Sequence, residues 1–338
     1  MIVVLKPNIS KKEEAAVLKE IRRLGYKTHI MRGVARTVVG AIGDERKNHT
    51  LETLVVLPQV EKVMPVQKRF KLVSREAHPA NSTITVGRDV VIGGKKLQVM
   101  AGPCSVESEK QLMATAHAVK KAGATILRGG AFKPRTSPYE FQGLGEKGLK
   151  LLAKARKETG LAIITELLSE QQAGLVAEYA DILQIGARNA QNFQLLIAAA
   201  KTGRPVLLKR GLSMKIEEWL LAGEYVLAHE NPNLMFCERG IRTFETYTRN
   251  TLDLSTIPII KKESHCPIVI DPSQGAGRAD LVMAMCKGAV AMGADALLIE
   301  VHPNPAEAWS DGAQQLTFDG FARLMDELKP FIAAAGRV

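Results

Sequence analysis

Six basic residues of this 338-residue chain stand where anions could be held. Arg128, Arg188, Lys209 and Arg239 each close a short apolar run, in "ATILRGG", "ADILQIGAR", "PVLLKRG" and "LMFCERG". Lys133 and Arg135 follow in the loop "AFKPRTSPYEFQG". Guanidinium forks match phosphate and carboxylate oxygens two at a time. Like charges that converge repel unless an anion joins them, so the count points to more than one anionic group, such as two phosphates and a carboxylate. For any single residue the plain alternative is an ion pair with Glu166 or Glu238, which also close apolar runs.

A second group could hold a divalent transition metal. Cys104 follows "LQVMAGP", Glu300 ends "ADALLIE", His302 stands two residues on, and Asp311 lies in the next loop. Thiolate and carboxylate donors suit such ions; a lone cysteine at a strand end is otherwise simply buried. Between these groups falls "CPIVIDPSQGAGR", which delivers Asp271 and Gln274 to the end of another apolar run.

The elements that must position these residues alternate. Eight apolar runs begin at Leu97, each followed by a stretch long enough for a helix, and each run ends in a polar residue. Eight βα units over residues 97–338 predict a closed (β/α)8 TIM barrel, whose strand C-termini form the active-site face. "AGPCSVE" is not the GxGxxG turn of a doubly wound sheet. Residues 70–96 read as a connector with a hairpin, its turns signalled by "HPANS" and "IGGKK". Residues 1–69 read as βαββαβ, a small α+β ferredoxin-like domain. In it a helix "KKEEAAVLKEIRRLG" buries Val17, Ile21 and Leu24, Gly33 separates two strands, a short helix spans 52–57, and "VEKVMPV" closes the unit.

The net charge of +11 is concentrated in residues 1–69, which hold 14 Lys+Arg against 7 Asp+Glu. Tyr26 is the only aromatic residue there, so base stacking lacks a platform and a solvated basic surface is expected, not a nucleic-acid partner. No apolar run approaches the ~18 residues of a membrane span. Four scattered cysteines and an N-terminus without a leader pattern predict a cytoplasmic protein.

"AGPCSVE", "LRGGAFKPRTSPYEFQGLGEKGL", "QIGARNAQNF", "LLKRG", "CERGIRTFE", "IDPS" and "IEVHPNPAEAWSDG" together resemble 3-deoxy-D-arabino-heptulosonate 7-phosphate (DAHP) synthase, in its compact microbial type with a ferredoxin-like regulatory domain. The resemblance implies condensation of phosphoenolpyruvate with erythrose 4-phosphate, opening the shikimate pathway to aromatic amino acids. It implies a phosphoenolpyruvate cradle of Arg128, Lys133, Arg188, Lys209 and Arg239, with Glu166, Ala187 and Glu238 beside it. Pro134, Arg135, Thr136 and Ser137 become aldose-phosphate contacts, and Lys133, Cys104 and Asp271 the catalytic candidates. Cys104, Glu300 and Asp311 match three ligands of a divalent metal (Mn, Fe, Zn, Co or Cd). The family's fourth ligand is a histidine, and this chain has Gln274 there, a poorer donor that leaves metal affinity and identity open; His302 is a possible substitute. An aromatic amino acid effector and a homotetramer are also implied. Two alternatives stay open: the sister synthase of the eight-carbon sugar acid, which has an Asn-Arg-Ser-Ser loop where this chain reads "KPRTS", and a relative impaired in turnover by Gln274.

Overall fold

The computed structural model describes residues 1–32, 36–43, 50–64, 69–87 and 89–338. Gly33, Pro65 and Val66 of the sequence reading lie outside them. Two compact units are found, Met1–Arg69 and Phe70–Val338.

The first unit holds β1 (Ile2–Leu5), a helix (Lys11–Arg23), β2 (Lys27–Arg32), β3 (Thr37–Ile42), a short 3-10 helix (Leu51–Val56) and β4 (Val60–Met64). The strands pair antiparallel in the order β2-β3-β1-β4, the ferredoxin-like arrangement. Ser10 and Glu13 form a capping box at the start of the long helix. Its inward face, Val17, Leu18, Ile21 and Leu24, packs against Val3, Leu5 and Val39 of the sheet. The second helix is a single 3-10 stretch, because its last residues are Val55 and Val56 and Pro58 follows closely.

In the second unit β5 (Ile84–Val86) and β6 (Val90–Ile92) form the hairpin, with Ile84 opposite Ile92. The signals "HPANS" and "IGGKK" do not join these two strands: residues 78–82 precede β5, and "IGGKK" starts at the last residue of β6 and runs past it. Eight parallel strands then close a barrel: β7 (Gln98–Gly102), β8 (Ile126–Arg128), β9 (Ala162–Leu167), β10 (Ile182–Ile185), β11 (Val206–Lys209), β12 (Leu234–Glu238), β13 (Ile268–Ile270) and β14 (Ala296–Glu300). Seven fall within the apolar runs quoted from the sequence, and β9 falls in the run "LAIITELL", which carries Glu166.

Because successive side chains alternate across a strand, each strand feeds two layers. Met100, Ile126, Ile164, Ile182, Leu207, Met235, Val269 and Leu298 form one cluster inside the barrel, and Ile84, Val86 and Ile92 of the hairpin join it. Their neighbours, among them Val99, Leu127, Ile163, Leu183, Leu208, Phe236, Ile268 and Leu297, belong to a second cluster shared with the helices. Both faces are buried, so the strands read as continuous apolar runs. Continued to the strand ends, the same parity turns Arg128, Glu166, Lys209, Arg239, Asp271 and Glu300 inward.

The hairpin therefore plugs the foot of the barrel with apolar side chains while the mouth stays polar. Ile92 is fully buried in that plug. Ile92→Ala is expected to lower unfolding stability by about 2–5 kcal/mol, read from the denaturant midpoint; a loss below about 1 kcal/mol would mean that the hairpin does not pack as part of the interior.

Candidate functional site

At the mouth a cavity of about 240 Å³ is lined by seven basic residues, Arg128, Lys133, Arg135, Arg188, Lys209, Arg239 and Arg249, and three acidic ones, Glu140, Glu166 and Asp311. The strands and loops thus bring together all six basic residues named from sequence. Pro134, Thr136, Ala187 and Gln274 also line it. Gly186 has no room for a side chain: a Cβ there would lie 2.0 Å from Glu166 Oε1, so its glycine leaves the Glu166 carboxylate in place.

The inner cations are held by buried acids. Lys209 Nζ lies 2.5 Å from Asp271 Oδ2. Arg128 Nη1 donates to Glu300 Oε1 at 3.0 Å and to the carbonyl of Pro103 at 2.8 Å. Lys133 Nζ donates to the carbonyl and thiol of Cys104, at 3.1 and 3.0 Å. Burial pulls the Lys133 pKa down, but its neighbours Cys104, Glu166 and Glu300 outweigh it and the net shift is upward, so it stays an ammonium. Two guanidinium atoms, Arg128 Nε and Arg239 Nη1, are buried with no partner among the described residues. A permanently charged group left with an unbonded N–H is costly, which points to an acceptor brought by a ligand. Arg135 sits further out, paired with Glu140 at 2.9 Å, and Thr136 is exposed.

Beside this cradle, one donor atom each from Cys104, Glu300 and Asp311 lies within 4.8 Å of the others. Cys104 is fully buried and its thiol donates to Asp311 Oδ2 at 3.4 Å. Burial pushes that thiol up to about 11, Glu300 and Asp311 adding to the shift and Lys133 opposing it. Burial alone would raise the Asp311 carboxyl, but Arg249, Lys133 and Gln274 hold it at about 2. Its backbone is left-handed, φ 49° and ψ 36°, a conformation aspartate tolerates. A thiol and two carboxylates at this spacing suit a divalent transition ion. Those three residues fit the group the family implies; the fourth position does not present a ligand as it stands. Gln274 turns its amide nitrogen toward the cluster, donating to Glu300 Oε1 at 3.0 Å and Asp311 Oδ2 at 3.1 Å.

Asp271, Pro272, Ser273 and Gln274 owe their order to a helix start. Asp271 caps the short helix Pro272–Ala276 by accepting from the Gln274 N–H at 2.9 Å, and proline suits the first helical position. Ser273 Oγ accepts from the Glu300 N–H at 3.0 Å, tying this turn to β14. Asp271 thus positions Lys209 and Gln274.

Three expectations need correction or narrowing. Glu238 does not line the cavity: its position on β12 has outward parity, and its carboxylate accepts from Arg210 Nη1 at 3.0 Å and from the Gly240 N–H at 2.6 Å. Ser137 does not line it either; its hydroxyl accepts from the Tyr139 N–H at 3.3 Å. His302 turns away from the cluster, its Nε2 3.2 Å from Glu107 Oε2 and its Nδ1 accepting from the Asn304 N–H at 3.1 Å. Sequence reasoning missed Arg249, whose Nη1 reaches Asp311 Oδ1 at 3.2 Å and Gln314 Oε1 at 3.1 Å. It also missed Gln314, which donates to Glu300 Oε2 at 2.6 Å. Both stand in loops, away from the strand ends, and only their closeness to the cluster identifies them.

Known proteins resemble this chain in sequence and in fold. The family model described as DAHP synthetase I family matches residues 73–334, and that described as DAHP synthase ferredoxin-like domain matches residues 1–68. Phospho-2-dehydro-3-deoxyheptonate aldolase of Thermotoga maritima is 51% identical over 336 residues, 99% of each chain. The crystal structure of a Thermotoga maritima phospho-2-dehydro-3-deoxyheptonate aldolase (DAHP synthase) superposes with a TM-score of 0.93 at 50% identity, covering 99% of this chain and 98% of that one. A 2-dehydro-3-deoxyphosphooctonate aldolase of Caulobacter vibrioides is 34% identical over 263 residues, 72% of this chain and 90% of its own. Relatives of both kinds share the barrel, but a match that runs through the ferredoxin-like unit as well decides between them: the chain belongs to the DAHP synthetase I family, an enzyme of the DAHP synthase kind with its ferredoxin-like domain in front.

Proposed function

We propose that the chain condenses phosphoenolpyruvate with erythrose 4-phosphate and water, giving DAHP and inorganic phosphate, as the first step of the shikimate pathway. The observation that carries this reading is a buried guanidinium atom without a partner among the described residues on each of Arg128 and Arg239, two arginines that line a basic cavity beside Cys104, Glu300 and Asp311. The "KPRTS" loop and the ferredoxin-like unit favour the four-carbon aldose over the five-carbon one.

In this reading Arg188, Lys209 and Arg239 take the phosphate of phosphoenolpyruvate, and Arg128 and Lys133 its carboxylate. Arg135 and Thr136, on the outer loop, take the phosphate of the aldose. The methylene carbon of phosphoenolpyruvate forms a bond to the aldehyde carbon, whose oxygen becomes a hydroxyl. Water adds at the neighbouring carbon, and phosphate leaves by carbon–oxygen cleavage. Cys104, Glu300 and Asp311 would hold a divalent ion, which polarises the aldehyde oxygen. Lys133, hydrogen-bonded to Cys104 and open to the cavity, stands between the two substrates and fixes their approach. Charge fixed in advance around reacting anions is the main source of rate here.

Lys133→Ala and Arg188→Ala are expected each to cost roughly 10²–10³ in kcat, the usual cost of removing one preorganised electrostatic contact, with far-UV circular dichroism unchanged. Steady-state phosphate release with both substrates measures it, and near-normal turnover in either variant would refute the placement of the cradle.

Chelator treatment is expected to bring phosphate release to baseline, and added manganese or cobalt to restore it with late saturation, because Gln274 supplies no imidazole. Full turnover in chelator would contradict a metal role for Cys104, Glu300 and Asp311.

The ferredoxin-like unit is read as the regulatory part, answering to an aromatic amino acid. The barrel unit closes its own core, so deletion of residues 1–69 is expected to leave a folded, active barrel that an aromatic amino acid no longer inhibits. Inhibition that survives the deletion, or loss of folding, would count against it.

A further inference from the structure

The side chain of Gln274 touches both halves of the site. Its nitrogen donates to Glu300 Oε1 and Asp311 Oδ2, and its oxygen accepts from Arg239 Nη2 at 2.8 Å. Ionised carboxylates only accept and a guanidinium only donates, so this polarity is set by the chemistry of the neighbours. Reversed, with nothing else bound, the amide would set its oxygen against two carboxylates and its N–H groups against a guanidinium. The Gln274 backbone cannot respond: its N–H is held by Asp271 Oδ1 at 2.9 Å and its carbonyl by Asn250 Nδ2 at 3.0 Å. Only the side chain can turn.

We propose that Gln274 is a two-position amide that couples a cation held by Cys104, Glu300 and Asp311 to an anion held by Arg239. A divalent ion among the three ligands repels the inward N–H groups and favours the oxygen, which has a lone pair to donate. The reversed amide then points its nitrogen at Arg239, a contact between two donors. An anion on Arg239 removes that conflict, since it accepts from both. Arg239 has capacity for one: it is 6% exposed and its Nη1 is buried without a partner among the described residues. Each ligand therefore favours the amide position that the other requires, and by linkage each tightens the other equally. An imidazole at 274 would have no such polarity to reverse. This inference rests on the reading that the cluster takes a metal and the cradle takes phosphoenolpyruvate.

The test titrates cobalt into the full chain, following the cobalt–thiolate absorption of Cys104, with and without saturating phosphoenolpyruvate and without the aldose. Binding of phosphoenolpyruvate is measured separately by calorimetry. Phosphoenolpyruvate is expected to tighten cobalt roughly tenfold, an ordinary size for coupling between two sites. In Gln274→His and Gln274→Ala most of that factor is expected to vanish, the histidine variant binding cobalt tightly in either condition. Phosphoenolpyruvate that binds the wild-type chain but leaves cobalt affinity unchanged overturns the coupling alone. The same factor in both variants also overturns it, because it would then be plain attraction between opposite charges. Failure of phosphoenolpyruvate to bind at all would sink the cradle beneath it.

Discussion

The mouth of the barrel carries more positive charge than its own acids neutralise, and much of the structure serves to hold that charge in place. Two like unit charges 4 Å apart near a protein surface repel by about 4 kcal/mol, and seven basic residues line this one cavity. Asp271 and Glu300 offset part of the repulsion by holding Lys209 and Arg128. Burial of both acids keeps those contacts from being screened by water. What remains lines the cavity, and Arg239 and Arg128 each keep a buried N–H group without an acceptor among the described residues. An apolar plug at the foot and a rigid parallel wall keep these groups from relaxing apart. The mouth is thus short of anions among the described residues, which suits it to anionic ligands.

One physical rule, the alternation of side chains along a strand, decides most of what was legible in the sequence. The eight strands were legible because burial on both faces leaves uninterrupted apolar runs. The inward set Arg128, Lys209, Asp271 and Glu300 followed from reading the strand ends. The same rule, applied through Leu234–Glu238, assigns Arg239 inward and Glu238 outward: Met235 and Cys237 share the interior cluster, and Glu238 alternates with them. Its partner Arg210, one residue past the end of the neighbouring β11, continues the corresponding outward parity. By contrast, the neighbours of Arg249, Gln314 and His302 are set by loop paths that no periodicity encodes, and only the folding of the chain brings Glu107 to His302.

Gln274 shows a different limit. Its place in the chain is explained locally, since Asp271 caps a helix, Pro272 begins it and Gln274 falls in its first turn. Its chemistry is not local. The residue type alone leaves open whether the oxygen or the nitrogen faces the carboxylates. That is decided by Arg239, 35 residues away in sequence and 2.8 Å away in space. A residue that reads as a weak metal ligand in the sequence is, in the folded chain, a hydrogen-bond bridge between the acidic cluster and the basic cradle.

A crystal structure of the full chain soaked with phosphoenolpyruvate tests the basic mouth as its binding site most directly. The phosphate is predicted on Arg188, Lys209 and Arg239, with the carboxylate on Arg128 and Lys133 and acceptors now opposite Arg239 Nη1 and Arg128 Nε. Phosphoenolpyruvate bound away from these residues, or bound with both guanidinium atoms still unpartnered, would contradict it.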